Sequence, residues 1–412
     1  MDLIMAFGSV LFFILFSFLV FVFIVFFRSL FVKKEYSDFE PFVNIVIPVY
    51  NEERSIVSCL DSIYNSNYPK EKMKVNVVDD GSTDKTLDIV RGYKDVEIIK
   101  QAHLGKTEAL NKGVIESCYG FILTVDADTI LDKECIREIV KPFTDEKVGA
   151  VTGAIKVKNH NKVITAFQNI EYHYNNLIRS SFSKVFENGV WFFGALACYR
   201  KSIIEKVGYF KKDTPTEDMD IALEIKKLGY KTISLNKANC HTVVPETLKG
   251  LYKQRSRWWI GGLKSLMNNR TVFSIKDLSI LFLFVNQFWW SFYALVSLPL
   301  IIYQIYYWLP YNTDTLFSLA GYLFRWFSLS GPLYVIYKLP EWGFNFYSFF
   351  GVLSGIISSI LIVSAIRMFK DKINIKNSLA IFFYFPYTIV LNIIILLSIL
   401  RNSSWKNSFF IR

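Results

Sequence analysis

Hydrophobic and polar positions along this chain fall into three regimes, and each predicts a different kind of element. From Leu3 to Phe27 there is not one charged residue, a run longer than the roughly 20 residues a helix needs to cross a bilayer. No basic segment precedes it and no small-residue cleavage site ends it, so the pattern predicts an uncleaved anchor rather than a signal peptide. Arg28, Lys33 and Lys34 follow it while only Asp2 precedes it. The bias of basic residues toward the cytoplasmic side then puts the amino terminus outside and the next segment in the cytoplasm.

The second regime runs from Asn44 to about Lys237, where short apolar runs alternate with amphipathic stretches. Val43 to Val49, Lys74 to Val78, Val96 to Ile99 and a run ending at Asp126 read as strands. Glu52 to Asn65, a segment starting near Asp84, and Thr107 to Ser117 read as helices, with Ser82 or Thr83 as the cap of the second. Strand-helix alternation with short loops predicts an α/β fold, a parallel sheet covered on both faces that binds ligands at the carboxyl ends of its strands. Asp79, Asp80, Asp126 and Asp128 fall along that edge. No repeat or low-complexity linker interrupts the stretch, so it reads as one domain.

Beyond Asn239 the pattern changes again. Glu246 to Met267 sets Lys249, Lys253, Arg255, Arg257 and Lys264 among Leu251, Trp258, Trp259 and Leu263, a basic amphipathic helix of the kind that lies at a membrane interface. Leu278 to Thr313 is uncharged throughout, too long for one straight span, and is expected to begin with an interfacial or bent portion. Trp342 to Ile366 and Asn377 to Leu400 are two further spans. Leu316 to Tyr337 contains Arg325 and the breaker Ser330-Gly331-Pro332, which membrane depth tolerates only against protein or water. A span, a re-entrant segment and a surface helix all stay open there, and the total is four or five. The expected parts are an anchor over 1–34, a cytoplasmic domain over 41–240, an interface-helix region over 241–276 and a multi-span region over 277–412.

Composition agrees: 52% hydrophobic residues, with 38 Phe and 23 Tyr, argue against a purely soluble protein. A net charge of +11 raises the question of nucleic acid. Lys and Arg are interleaved with acids, without a basic block or a recognisable nucleic-acid module, so no nucleic-acid partner is expected. Cys59, Cys118, Cys135, Cys198 and Cys240 are odd in number and widely spaced, which predicts buried or free thiols. The four histidines show no zinc-ligand spacing.

Candidate chemistry centres on Asp126-Ala127-Asp128, delivered by the apolar run before it. Two acids one residue apart can hold a divalent cation, Mg²⁺ or Mn²⁺, shared with a substrate's phosphates. Alone, such a triplet is commonly a solvated turn. Its company is more specific: Val46-Ile47-Pro48-Val49-Tyr50-Asn51-Glu52, Asp79-Asp80-Gly81-Ser82, Gly105-Lys106 with Ala109-Leu110-Asn111, the acid triplet, Thr216-Glu217-Asp218 and Gln254-Arg255-Ser256-Arg257-Trp258 occur in that order.

With these motifs the chain resembles the inverting family 2 glycosyltransferases of the membrane-embedded synthase branch, which includes cellulose, chitin, hyaluronan and poly-N-acetylglucosamine synthases. The likeness covers roughly Val43 to Gly262. It implies a GT-A type, Rossmann-like nucleotide-sugar domain inserted between transmembrane helices of the cell membrane. It also implies transfer from a UDP-sugar donor to a growing polysaccharide that passes through the protein's own spans, with an accessory membrane subunit as a possible partner.

By the resemblance Asp218 is the general base, with Glu217 beside it, although acids at a helix start also serve the N-terminal dipole. Asp128, helped by Asp126, holds the metal. Asp79 or Asp80 meets the uracil ring, Lys106 the nucleotide or its phosphates, and Gln254 and Arg257 the diphosphate. Trp258 stacks an acceptor sugar. Gln254, Arg257 and Trp258 share one helix face by spacing. The segment Gly194 to Arg200, with Gly194 and Tyr199, lies where the family floors the acceptor site, and Trp191 and Phe193 read as acceptor platforms or core, with core the safer reading.

Val244-Pro245-Glu246-Thr247-Leu248 leading into Lys253-Gln254-Arg255 looks most like poly-N-acetylglucosamine synthases, and the missing W-G-T-R segment argues against hyaluronan. A single-addition transferase acting on a polyprenyl-phosphate-linked sugar would need the same donor site. A catalytically silent sugar-binding subunit could share the fold, but retention of Asp126, Asp128, Asp218, Arg257 and Trp258 together argues against it.

Overall fold

The alternating apolar runs assemble one eight-stranded sheet in a computed structural model that describes residues 3–308, 316, 318, 320–321, 328, 330–344, 346–369 and 375–401. Strands β1 (Val43–Val49), β2 (Met73–Asp79), β3 (Val96–Lys100), β4 (Phe121–Val125), β5 (Ile130–Leu131), β6 (Val148–Val157), β7 (Leu196–Arg200) and β8 (Lys231–Thr242) lie in the order β3-β2-β1-β4-β7-β6-β8-β5. The first four are parallel, joined by helices α2 (Ile56–Tyr64), α3 (Thr86–Val90) and α4 (Lys106–Glu116). β1, β2 and β4 are largely buried because helices pack on both faces, whereas the edge strand β3 leaves Glu97 and Lys100 exposed. Val46 and Val78 face α4, whereas Ile45, Ile47 and Val77 face the core on the α2 side.

The sheet is not wholly parallel. β7 runs antiparallel to β4 and β6, and β5 antiparallel to β8. Two helices begin later than the sequence pattern suggests. Ser82 Oγ accepts from Asn51 N at 3.0 Å, and Thr83 N donates to Asn51 Oδ1 at 2.8 Å. Both residues thereby tie the β1 and β2 loops together. Asp84 instead meets the first turn of α3, accepting from Thr86 N at 3.0 Å.

After β5 the chain forms α5 (Cys135–Val140), the long α6 (Val163–Phe186), α7 (Lys201–Val207), α8 (Glu217–Lys227) and α9 (Leu248–Asn268). Then come α10 (Leu278–Trp308), α11 (Gly331–Trp342), α12 (Phe346–Met368), α13 (Ile375–Phe382) and α14 (Tyr384–Arg401). With α1 (Leu3–Phe31), four helices among the described residues hold stretches long and apolar enough to cross a membrane: Ala6–Phe31, Leu278–Pro299, Phe349–Met368 and Tyr384–Arg401. Of the ambiguous stretch, Arg325 lies outside the described residues, and Ser330-Gly331-Pro332 stands at the start of α11.

In α10 the crossing stretch comes first, and the surplus length follows it rather than preceding it. The physical reason lies at the helix start. Asp277 Oδ1 accepts from Ser279 N and Ile280 N at 3.0 and 3.2 Å, and Asn188 donates to its other oxygen at 3.1 Å. That cap fixes the start of the helix to the sheet domain.

The apolar helices and the sheet domain share one core. Val22 and Phe26 of α1, Leu177 and Phe182 of α6, Phe282 of α10 and Leu361 of α12 are buried together. Phe282 lies 4.3 Å from Phe182 and 5.2 Å from Phe18, centroid to centroid. The five cysteines are free thiols, four of them buried and Cys118 exposed.

Candidate active site

Antiparallel pairing of β4 with β7 sets the site. The register places Val125 opposite Leu196, so the acids that leave β4 emerge beside the residues that enter β7. Asp126 N donates to Ala195 O at 3.2 Å across that junction. Gly194 is one residue further, and its N–H donates to Asp218 Oδ2 at 2.6 Å. A Cβ on Gly194 would stand 2.8 Å from the Asp218 Cβ, so only glycine lets the loop come this close.

Asp218 lies in the first turn of α8, half-buried, and also accepts from Met219 N at 2.8 Å. Burial, and the Glu217 carboxylate beside it, push its carboxyl up to about 6, against the pull of Lys106 and these two N–H groups. Glu217 is occupied otherwise. Lys106, at the start of α4, holds Asp126 at 2.6 Å and Glu217 at 3.3 Å. Burial alone would lower the lysine, but the two carboxylates outweigh it and keep the ammonium charged. One cation therefore joins the acid triplet to the Thr216-Glu217-Asp218 corner.

Asp128 is pushed up to about 6 by burial and by the Asp126 and Glu52 carboxylates. Among the described residues its own oxygens meet only the hydroxyls of Thr129 and Thr242, each at 3.4 Å. Asp128, with its penalised charge and weak local donors, and the neighbouring Asp126 carboxylate form a hard oxygen set that a divalent cation would satisfy. Asp126 and Asp128 fit such an ion. No group of three His, Cys, Asp or Glu residues encloses a metal site among the described residues, so water and phosphate oxygens would complete the coordination.

Asp79 and Asp80 are both buried, and their carboxylates serve the protein. Asp79 accepts from Ser82 N at 3.0 Å. Asp80 accepts from Gln101 Nε2 at 2.6 Å and from the N–H groups of Leu104 and Gly105 at 2.8 and 2.9 Å. Burial pushes Asp80 up, but these bonds win and hold it below the usual carboxylate range. Asp79 braces its own turn, and Asp80 the loop that presents Lys106. The exposed groups at this edge are rings that sequence reasoning missed: Tyr50 and His103 stack at 4.0 Å and 23°. The adjoining Tyr in the first motif was the available signal.

Helix α9 approaches from the other side. Gly261 would carry a Cβ 2.7 Å from the Thr216 side chain, so this glycine lets the helix rest directly on the Thr216-Glu217-Asp218 corner. Gln254, Arg257, Trp258 and Gly261 recur at helical spacing and share that side. Arg257 is exposed. Trp258 is half-buried and packs on Phe193 at 6.4 Å and 24°. The apolar stripe of α9, expected at a membrane interface, is covered by protein: Leu251, Leu263 and Leu266 are buried. On the same helix Trp259 Nε1 donates to Ser291 of α10 at 3.1 Å.

Tyr199 corrects an expectation. Its ring is 0% exposed, between Phe192 and Phe210, because alternation along β7 turns it inward; it offers no face to an acceptor. Trp191 and Phe193 pack as core. Sequence reasoning also missed Arg179 of α6, buried and bonded to Trp191 O at 2.9 Å and Thr152 Oγ1 at 3.0 Å, with its guanidinium 3.8 Å over Phe193. It braces the loop leading to Gly194. A lone arginine in a helix gives no sequence signal for that task.

Known proteins place this geometry. The poly-beta-1,6-N-acetyl-D-glucosamine synthase of Staphylococcus epidermidis is 30% identical over 268 residues, 63% of this chain and 64% of that protein. The protein of the same name from Staphylococcus aureus is 32% identical over 236 residues, 55% of this chain and 56% of its own length. The chain thus spans less than two thirds of the curated relatives it matches. The fold is that of a mannosyltransferase from Pyrobaculum calidifontis, solved with GDP-Man and Mn²⁺, with a TM-score of 0.65 at 20% identity over 97% of this chain and 99% of that one. The family described as "Glycosyl transferase family group 2" matches residues 121–395, more than half of the 412 residues, so the chain belongs to that family and carries its GT-A fold.

Proposed function

We propose that the protein is an inverting β-glycosyltransferase that extends an extracellular polysaccharide with N-acetylglucosamine from UDP-N-acetylglucosamine and passes the product through its apolar helices. The observation that carries this reading is the contact of Gly194 N–H with Asp218, which gathers a raised-pKa carboxylate, the acid triplet and the Gln254–Trp258 face at one sheet edge. The names of the relatives support the sugar.

In this reading the Asp218 carboxylate takes the proton of the acceptor hydroxyl as its oxygen attacks the anomeric carbon. The bond from that carbon to the diphosphate breaks with inversion, and UDP leaves toward Lys106 and Arg257. Asp128 and Asp126 would hold a divalent ion, which supplies positive charge for the departing diphosphate. The nucleoside rests at the Tyr50–His103 edge, over the loop that Asp80 braces. Trp258 receives the acceptor ring. Arg28 in the last turn of α1, with Lys33 and Lys34 after it, supports a cytoplasmic sheet domain, where a UDP-sugar would reach it.

Purified protein in nanodiscs, given radiolabelled UDP-N-acetylglucosamine and Mn²⁺, should yield a high-molecular-weight ladder sensitive to glycosidase. One discrete, lipid-extractable product would instead mark single addition to a lipid-linked sugar. Trp258→Ala should lower transfer to an oligosaccharide acceptor by about 10-fold, the worth of one lost aromatic contact, while sparing donor hydrolysis. Equal losses in both would make the tryptophan merely structural.

A pH profile supplies a separate test. A base must be ionised to work, so kcat/KM should rise with pH through about 6, the value to which burial and Glu217 push Asp218. A flat profile between pH 5 and 7 would remove Asp218 from the role.

A further inference from the structure

Helix α6 carries a carboxylate that lies in none of the motifs. Glu171 is 9% exposed and faces Arg255 of α9, itself 7% exposed. Arg255 Nε and Nη2 donate to the two oxygens of Glu171 at 3.0 and 2.8 Å, a bidentate pair. Tyr387 of α14 donates its hydroxyl to the same carboxylate at 2.6 Å. The guanidinium held in this way stands 4.3 Å from the centre of the Trp258 ring and 5.8 Å from that of Tyr172.

Such a pair is a weak source of stability. Two desolvated charges gain little over an apolar pair of the same volume. What the pair does supply is direction: a guanidinium fixed by two parallel bonds cannot turn away from the indole face beneath it. A cation over an aromatic face attracts the ring quadrupole, more strongly when both are shielded from water.

Helix α9 divides its work between two sides. Tyr252, Arg255, Ser256 and Trp259, at helical spacing, face neighbouring helices. Arg401 Nη1 donates to the Tyr252 hydroxyl at 3.3 Å, and Ser256 Oγ meets Ser398 Oγ at 2.6 Å. Gln254, Arg257, Trp258 and Gly261 lie toward the reacting corner. The Glu171 cluster sits where these two sides meet: Arg255 Nη1 also donates to Gln254 Oε1, while among the described residues the cluster makes no hydrogen bond to Asp126, Asp128, Lys106 or Asp218.

We propose that Glu171 is a positioning residue for the acceptor. It fixes Arg255, Arg255 fixes the Trp258 ring, and Tyr387 ties that setting to the last apolar helix. The inference rests on the reading of Trp258 as an acceptor contact, and it places acceptor control apart from the metal-holding acids. The setting of α14 thereby reaches the acceptor ring through Arg255, a path apart from the acid triplet and Lys106.

The test compares Glu171→Gln, the double variant Glu171→Gln/Arg255→Met and Trp258→Ala in the full-length protein in nanodiscs. Transfer from UDP-N-acetylglucosamine to N-acetylglucosamine oligomers is measured beside acceptor-free UDP release. Glu171→Gln should raise the acceptor KM by about 10-fold and leave the donor KM and UDP release within about 2-fold. The double variant, with both charges removed, should regain the wild-type thermal midpoint while keeping the raised acceptor KM, because the cation over the indole is still missing. It also carries the test if Glu171→Gln alone fails to fold.

A double variant normal in both respects would reduce the pair to a structural one and overturn the inference. So would a Glu171→Gln protein with an unchanged acceptor KM beside an impaired Trp258→Ala. An unchanged acceptor KM in Trp258→Ala would instead remove the acceptor reading itself, and this inference with it.

Discussion

Asp218→Asn is expected to lower turnover by about 10²–10⁴-fold, the range a positioned general base contributes, while UDP still binds. Asparagine keeps the shape of the side chain, and its carbonyl oxygen can still accept from Gly194 N–H, so the corner between β7 and α8 should hold its geometry. What disappears is the ability to take a proton. The loss should therefore fall on kcat, with little change in donor KM. Single-turnover transfer beside UDP titration by calorimetry checks both halves. A variant with near-wild-type turnover would return Asp218 to the capping role that acids at a helix start commonly fill.

For Asp128→Asn the expected loss lies in the donor complex. Replacing a direct ligand should weaken Mn²⁺-dependent UDP affinity by more than the roughly 10–100-fold typical of an outer-shell partner. Adding a chelator to the wild type should bring its UDP affinity down to that of the variant. A second reading separates this from damage to the fold. Burial, with the Asp126 and Glu52 carboxylates, holds Asp128 at about 6, so its charged form costs stability above that pH. Neutral asparagine removes that cost, and the metal-free variant should melt no lower than wild type at pH 7 and higher if the repulsion dominates. Unchanged UDP affinity in Mn²⁺ would move the metal away from this acid.

The strands β1 to β4 were readable because each is a short apolar run closed by polar turn residues, and the acids at their ends followed from that. β7 and β5 were not readable as antiparallel members, since their direction is fixed by partners far along the chain. That direction matters most, because it is what brings Gly194 to Asp218. The same limit hid Tyr199, whose alternation along β7 turns it inward. It also hid the tasks of Asp80 and Lys106, which are set by the loop at 101–105 and by Asp126 and Glu217 across the site. The motif around Arg255 was visible, yet its partner Glu171 lies 84 residues away on another helix. Gly261 could be read as a small residue, but the Thr216 side chain that requires it could not.

The core in which Phe182, Phe282 and Leu361 pack together also decides how this enzyme can be handled. A soluble fragment cut after Asn268 would strip α6 of its α10 and α12 neighbours and leave an apolar face open to water. Such a fragment should aggregate even with every sheet strand intact. Excision is therefore a poor route to its enzymology, and screening for crystals or inhibitors has to begin with the whole chain in lipid.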